Sequence, residues 1–312
     1  MCDDITEKEN EIYLSRRNAT AAVGAAFASA LVGCKSGASS KSVASKPPAS
    51  TASSAIATAA EPPTVKMETA GKRVVVDMPE GKAEAFFVAP TQGAHPGVVL
   101  WPDIAGLRTA YETMATRLAS AGYAVLAVNQ YYRSSSLPVL SGIAEWRTEA
   151  GRAKVAPMRA ALTDQAVSSD GKAFAEWLDA QPQVDKRRKL GSAGYCMGGP
   201  FTFRTAAAAP DRVGAIASFH GGGLVKADAG SPHRLIEKIN AALLICIAQN
   251  DDTREPEAKN QLRAAAEAAG RPAEIKVYAA QHGWCTIDAP VYNKPEAELA
   301  WSRMLQTFER YL

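Results

Sequence analysis

Short apolar runs alternate with longer amphipathic stretches along the chain from about residue 65 to residue 312. A short apolar run predicts a buried strand, and apolar residues three or four positions apart predict a helix. The pattern predicts strands at residues 74–78, 83–88, 97–101, 123–128, 189–195, 213–219, 242–248 and 274–278. It predicts helices at residues 109–120, 171–180, 200–209, 256–269 and 295–311, whereas residues 134–158 have an irregular pattern.

This alternation of strands and helices indicates an α/β fold. It predicts a mainly parallel sheet of about eight strands that is covered by helices on both faces. Residues 65–312 are enough for one such domain. Ligands bind to sheets of this kind beyond the carboxyl ends of the strands, so we expect the functional residues at those ends.

Residues 1–64 lack this pattern and are expected to lie outside the folded domain. Residues 1–34 are predicted to be an export signal, because Arg16-Arg17 resembles a twin-arginine pair and precedes an uncharged, Ala-rich run. Leu31-Val32-Gly33-Cys34 resembles a bacterial lipobox, which makes Cys34 the candidate for lipidation. Residues 35–64 are rich in Ser, Ala and Pro and are predicted to form a disordered tether.

These N-terminal features predict the location of the protein. We expect export to the periplasm, either as a released protein or tethered to the membrane through a lipidated Cys34. The alternative is a cytoplasmic protein that begins with a flexible tail.

Charge and cysteine content narrow the classes of partner. A formal net charge of +3 over 312 residues gives too weak a field to indicate a nucleic-acid partner. Cys196, Cys246 and Cys285 fall in the predicted folded domain, and an odd number of cysteines does not indicate a disulfide framework. We expect a monomer that uses no metal or cofactor and acts on a small molecule.

The motif Gly194-Tyr195-Cys196-Met197-Gly198 lies between a predicted strand and a predicted helix. It has the pattern of a nucleophile elbow, in which the backbone turns sharply and the central side chain projects above the sheet. Cys196 is also expected at a helix N-terminus, where backbone N–H groups favour the thiolate, which is the nucleophilic form. The alternative is a tight turn that carries a buried, unreactive cysteine.

A cysteine nucleophile needs a general base, and the chain has 4 histidines. In α/β-hydrolases, which carry such an elbow, the order along the chain is nucleophile, acid, base. This order excludes His95, which precedes the elbow, and favours His282, which follows the last predicted strand. We interpret His233 as part of a helix start, and His220, in a glycine-rich loop, as a residue near the pocket rim.

The acid that orients the base is expected after the predicted strand at residues 242–248. Asp251 and Asp252 both follow this strand. The usual spacing between strand and acid favours Asp251, and an ionised carboxylate there would fix the tautomer of the imidazole. Asp252 remains the alternative.

Together, the Cys196 motif, Asp251 and His282 resemble the dienelactone hydrolase family of the α/β-hydrolase fold. The 31-residue spacing between Asp251 and His282 is similar to that of the family. The resemblance covers roughly residues 72–312 and implies a catalytic triad of Cys196, Asp251 and His282.

The family resemblance also implies roles for residues around the nucleophile. The backbone N–H groups of Met197 and Ile104 would form the oxyanion hole. Family members hold the resting thiol with a glutamate, and this chain has the shorter Asp103 at the matching position. Asp103 therefore either holds the thiol of Cys196 or caps the helix that follows it.

Three further residues follow predicted strand ends or the candidate base and are candidates for substrate binding. They are Tyr131, Arg133 and Trp284, and Arg133 could pair with a substrate carboxylate. The irregular stretch at residues 134–158 is expected to form the rim of the pocket.

The sequence thus predicts a hydrolase that cleaves a carboxylic ester or lactone through a thioester intermediate on Cys196. Two alternatives remain at this point. The chain could keep the fold only to bind a ligand, or Cys196 and Cys285 could carry out redox chemistry.

Overall fold

Eight strands form one sheet in the part of the chain that the structure, a computed structural model, describes: residues 8–15 and 66–312. The strands are β1 Thr69–Met78, β2 Gly81–Pro90, β3 Gly97–Trp101, β4 Ala124–Val128, β5 Leu190–Tyr195, β6 Val213–Phe219, β7 Ala242–Ala248 and β8 Ala273–Tyr278. Their order in the sheet is β1-β2-β4-β3-β5-β6-β7-β8. Strand β2 pairs antiparallel with β1 and β4, and the remaining neighbours are parallel. The predicted α/β-hydrolase fold is confirmed.

Helices connect the strands. They are α1 at residues 8–15, α2 Thr109–Ser120, α3 Ile143–Trp146, α4 Glu149–Ala160, α5 Asp164–Asp179, α6 Gly198–Ala208, α7 Pro232–Leu235, α8 Gln249–Arg254, α9 Ala258–Ala268 and α10 Lys294–Tyr311. A 3₁₀ turn, Ile236–Lys238, follows α7. Among the described residues, no helix combines the length and apolarity that crossing a bilayer requires.

The sheet is buried on both faces, which explains why its central strands are continuous apolar runs. Side chains alternate between the faces along a strand. In β3, Val98 and Leu100 pack in the core that contains residues of α2 and α10, whereas Val99 and Trp101 pack in the core that contains residues of α5 and α6.

Three parts of the helix prediction were wrong. Residues 134–158, predicted to be irregular, contain α3 and most of α4. Only Gly151 and Val155 of α4 are buried and the helix contains Pro157, so its sequence carries little apolar periodicity. The second error is α8, a short helix of mostly polar residues in a predicted loop. The third is α5, which begins at Asp164 and not at residue 171.

Most of the predicted export signal lies outside the described residues, as do Cys34 and residues 35–64. The exception is α1, a stretch of the predicted signal that forms a helix. Residues 8–14 belong to the same unit as residues 66–312.

Helix α10 is anchored by Phe308, which is fully buried and packs edge-on against Tyr123 at 5.8 Å between ring centroids. We expect Phe308→Ala to lower the free energy of unfolding by about 3–5 kcal/mol, because it removes a large side chain and leaves a cavity. Urea unfolding measures this change. Leu299→Ala, at an exposed position of the same helix, is the matched control, with an expected loss below about 1 kcal/mol. Equal losses in the two variants would contradict the assignment of Phe308 as the anchor.

Candidate active site

Cys196 lies on a sharp turn between β5 and α6. Its φ angle is +53°, in the left-handed region that residues other than glycine rarely adopt. The turn is held by a hydrogen bond of 3.0 Å from the Cys196 N–H to the carbonyl oxygen of Phe219. A backbone outlier of this kind is typical of functional sites.

The two glycines of the motif allow the backbone to pack closely around this turn. A Cβ atom on Gly194 would lie 2.1 Å from the carbonyl oxygen of Gly198. A Cβ atom on Gly198 would lie 2.5 Å from the carbonyl oxygen of Trp101, at the end of the neighbouring strand β3. The strand-turn-helix arrangement predicted for the motif is therefore present, and it requires glycine at both positions.

His282 and Asp251 form a buried pair beside the turn. The Nδ1 atom of His282 lies 2.7 Å from Oδ2 of Asp251. The backbone N–H of His282 also donates to the side-chain oxygen of Asn250 at 2.8 Å, which fixes the loop that carries the ring. Asp252 instead pairs with Lys259 at 2.6 Å. Of the two candidate acids, Asp251 is the one that contacts the imidazole.

This pair shifts the protonation of both partners. Burial alone would raise the pKa of Asp251, but the charge and hydrogen bond of His282 outweigh burial and lower it. Burial opposes protonation of His282, yet the negative charges of Asp251 and of the Cys196 thiolate outweigh burial and raise the pKa of His282 to about 10. At neutral pH the site therefore favours an imidazolium ring next to a carboxylate.

His220 lies next to Cys196 and not at the pocket rim, so that part of the sequence interpretation was wrong. It follows β6, is 1% exposed and has a φ angle of +40°. Its ring centroid lies 4.8 Å from that of His282. Burial lowers the pKa of His220, so its ring is neutral at neutral pH.

The sheet register explains why His220 lies next to Cys196. Tyr195 of β5 is paired with Phe219 of β6, so the residues that follow these strands, Cys196 and His220, are neighbours. They are also the two residues other than glycine with positive φ angles among the described residues. Strand ends alone could have indicated His220, but the adjacent glycines suggested a rim loop.

Asp103 is held by a buried arginine. Its two carboxylate oxygens accept hydrogen bonds from Arg108 at 2.8 and 2.9 Å, and Oδ1 accepts one from the backbone N–H of Ala105. Arg108 also donates two hydrogen bonds to Asp288. The N-cap alternative for Asp103 was wrong, because Arg108 occupies the N-cap position of α2. Asp103 does line the same cavity as Cys196, and its role toward the thiol stays a prediction.

Tyr131 is buried behind the two residues predicted to form the oxyanion hole. Its hydroxyl donates to the carbonyl oxygen of Ile104 at 2.9 Å and to the sulfur of Met197 at 3.6 Å. Both residues pack in one apolar cluster with Cys196. Tyr131 therefore supports the two residues that are predicted to form the oxyanion hole.

The side chains of Arg133 and Trp284 contact other residues of the domain. The guanidinium group of Arg133 is bound by Asp170 and Glu80. Trp284 is fully buried and packs against His220 and Tyr278. Among the described residues, neither these two nor Tyr131 lines the cavity at Cys196, so their contact with substrate stays a prediction.

The cavity that contains Cys196 has a volume of about 30 Å³ and is lined in part by Asn10 of α1. The side-chain amide of Asn10 donates to the carbonyl oxygen of His282 at 3.1 Å. The cavity is also lined by Arg147, which pairs with Glu11 at 2.9 Å. Sequence reasoning missed this contribution, because α1 is a short polar helix without apolar periodicity.

Comparison with known proteins identifies the protein family that this sequence matches. The sequence matches the profile of the Dienelactone hydrolase family over residues 83–312. A carboxymethylenebutenolidase from Rhodococcus opacus is 29% identical over 227 residues, which covers 70% of this chain and 83% of that protein. A Salmonella typhi protein provisionally named as the same enzyme is 28% identical over 248 residues, which covers 75% of this chain and 83% of that protein.

A solved structure has the same fold. A Klebsiella pneumoniae protein, provisionally named a dienelactone hydrolase, gives a TM-score of 0.68 at 24% identity. The match covers 78% of this chain and all of the Klebsiella chain. At this level of identity the likeness supports the fold alone.

Removal of the Asp251 charge is expected to lower the pKa of His282 from about 10, because the carboxylate stabilises the imidazolium form. Histidine ring signals in an NMR titration of Asp251→Asn measure this shift. Asp252→Asn is the matched control, since Asp252 pairs with Lys259, and its His282 signal should titrate as in the wild type. The same shift in both variants would contradict the assignment of Asp251 as the partner of His282.

Proposed function

Because the chain belongs to the dienelactone hydrolase family, we propose that it hydrolyses a carboxylic ester or lactone with Cys196 as the nucleophile. The family and the names of its relatives support a hydrolase. The observation that carries the proposal is the contact of 2.7 Å between His282 and Asp251, next to a cysteine in a left-handed turn. These side chains follow β5, β7 and β8, the strand ends where this fold binds ligands.

In the first half of the reaction, the thiolate of Cys196 attacks the carbonyl carbon of the substrate. A carbon–sulfur bond forms, and the carbonyl electron pair moves to oxygen. The backbone N–H groups of Met197 and Ile104 stabilise the resulting oxyanion. When the intermediate collapses, the ester carbon–oxygen bond breaks and the imidazolium of His282 gives its proton to the leaving oxygen. The products are a thioester on Cys196 and an alcohol, which in a lactone remains part of the acyl chain.

In the second half, neutral His282 takes a proton from water. The water oxygen bonds to the thioester carbon, and collapse of this intermediate expels the thiolate of Cys196. The thiolate and the imidazolium are then restored, and the carboxylic acid is released. Asp251 keeps its charge throughout and stabilises the imidazolium, as the acid of a triad does.

We also propose that two imidazole rings hold the resting sulfur. The ligand atoms of Cys196, His220 and His282 lie within 4.8 Å of one another, and all three residues are buried. The carboxylate of Asp103 is compensated by Arg108, which limits the charge that Asp103 could exert on the thiol. His220 therefore takes over part of the positioning role that a glutamate has in the family.

We expect Cys196→Ala to lower kcat/KM for a short chromogenic ester by about 10³-fold or more, because members of a triad act as a unit. Steady-state kinetics measure this loss, and mass spectrometry of the wild type after a rapid quench should detect an acyl group on Cys196. Cys246→Ala removes another buried thiol, in the core, and is the matched control. The proposal fails if Cys196→Ala retains wild-type activity, or if the acyl group is found on another residue.

A further inference from the structure

Helix α1 lies beside the cavity that contains Cys196, and its Asn10 lines that cavity. Three consecutive residues of this helix contact three different parts of the domain. Glu9 accepts a hydrogen bond of 3.1 Å from Asn250 in α8, and Asn10 donates to the carbonyl oxygen of His282. Glu11 pairs with Arg147, the residue that follows α3.

The contact of α1 buries polar groups at the site itself. Asn10 is 5% exposed although it belongs to a helix of only eight residues at positions 8–15. A helix this short is marginal in water without tertiary contacts, so its position depends on the groups that it touches here. The charges are complementary as well, since Glu9 also approaches Arg254 at 3.8 Å.

The remaining space explains what this contact does to the site. The cavity of about 30 Å³ has room for only one or two water molecules. Cys196 is 2% exposed, and Asn10 of α1 lines the space beside it. Helix α1 in this position therefore limits access to the thiol.

We propose that the mouth of the active site is a docking surface for residues 8–15 of the same chain, and that the site opens when α1 leaves. The surface consists of Asn250, the backbone of His282 and Arg147. Its effect on hydrolysis rests on the function proposed above, but the docking itself does not. Loss of α1, by displacement or by removal of the N-terminal segment, converts a closed site to an open one.

The test compares variants of α1 in the full chain. Asn10→Ala removes the buried hydrogen bond to His282 and should raise the open population, and with it the rate at which iodoacetamide alkylates Cys196, by about tenfold. Peptide mass spectrometry separates Cys196 from the other cysteines. Ile12→Ala is the control, because Ile12 is 54% exposed and lies about 200° around the helix from Asn10. Its alkylation rate should equal that of the wild type.

A charge exchange tests the same surface independently. Glu11→Arg should raise the alkylation rate of Cys196, and adding Arg147→Glu should bring it back toward the wild-type value, because the pair is then restored with opposite signs. The effect should be a few-fold, since this pair is partly exposed.

The outcomes separate docking from catalysis. An increase in both alkylation and kcat/KM in Asn10→Ala supports the proposal. If alkylation rises while no variant hydrolyses any ester, the proposed function fails and the docking surface stands. If Asn10→Ala is alkylated at the wild-type rate, the docking proposal is overturned.

A second inference concerns the cluster of Cys196, His220 and His282. Their ligand atoms lie within 4.8 Å of one another, and all three residues are buried. One thiolate and two imidazoles form a donor set that suits Zn²⁺ and Co²⁺ and does not suit Mg²⁺ or Ca²⁺. Asp251 supports His282 in the manner of the carboxylates that orient metal-binding histidines.

We infer that a thiophilic divalent cation binds these three side chains and blocks the nucleophile. The ligand atoms of a tetrahedral zinc site lie about 3.3–3.6 Å apart. Side-chain rotations that move the ligand atoms by about 1 Å therefore bring the three residues to this spacing. Binding displaces the proton of His282 to solvent and leaves one coordination position for water. The expected inhibition of hydrolysis rests on the proposed function, whereas the binding of the cation does not.

Co²⁺ is the probe, because a thiolate bound to Co²⁺ has a charge-transfer absorption band that does not depend on hydrolysis. The full chain should show this band on titration, and His220→Asn should bind Co²⁺ at least about tenfold more weakly. His233→Asn, outside the cluster, is the control and should bind like the wild type. Zn²⁺ should displace Co²⁺ and inhibit hydrolysis until a chelator is added. Absence of the thiolate band, or an unchanged affinity in His220→Asn, would overturn the inference.

Discussion

The left-handed backbone of Cys196 is the constraint on which the rest of the site depends. A side chain in this conformation costs conformational energy, and the surrounding structure must hold it there. Here the hold comes from the hydrogen bond to Phe219 and from the close approach of Gly198 to the end of β3. Because β5 lies between β3 and β6 in the sheet, contacts with both neighbouring strands hold the turn. The strain therefore places the sulfur between the loops that follow its neighbouring strands.

The loops around Cys196 are connected by a buried network of charges. Arg108 and Asp103 are each no more than 5% exposed, and Arg108 also binds Asp288 beyond His282 in the chain. A second link joins Tyr111 to Asp103 and to Thr286. A buried arginine between two carboxylates is costly to break, because each remaining charge would be left uncompensated. The network thus ties the loop of Ile104 to the loop of His282.

Much of this arrangement could be predicted from the sequence, because its physical causes are local. The buried strands are apolar runs, so their positions agree with the structure to within a few residues for most strands. The elbow has its glycines because the backbone is crowded there. The parts that sequence reasoning missed depend on contacts distant in the chain. Asn10 and Arg147 reach the site through polar contacts, and polar residues carry no periodic signal of burial.

The contacts of Asp251 and Asp252 restrict which sequence position can carry the carboxylate that contacts His282. Successive residues of a helix differ in direction by about 100°, so in α8 one carboxylate points to the imidazole and the next points to Lys259. The rotational phase of α8 therefore decides which carboxylate contacts His282. A deletion of one residue at the start of α8 would bring Asp252 to the position that faces the imidazole, whereas an insertion would place Asn250 there and leave the ring without a carboxylate.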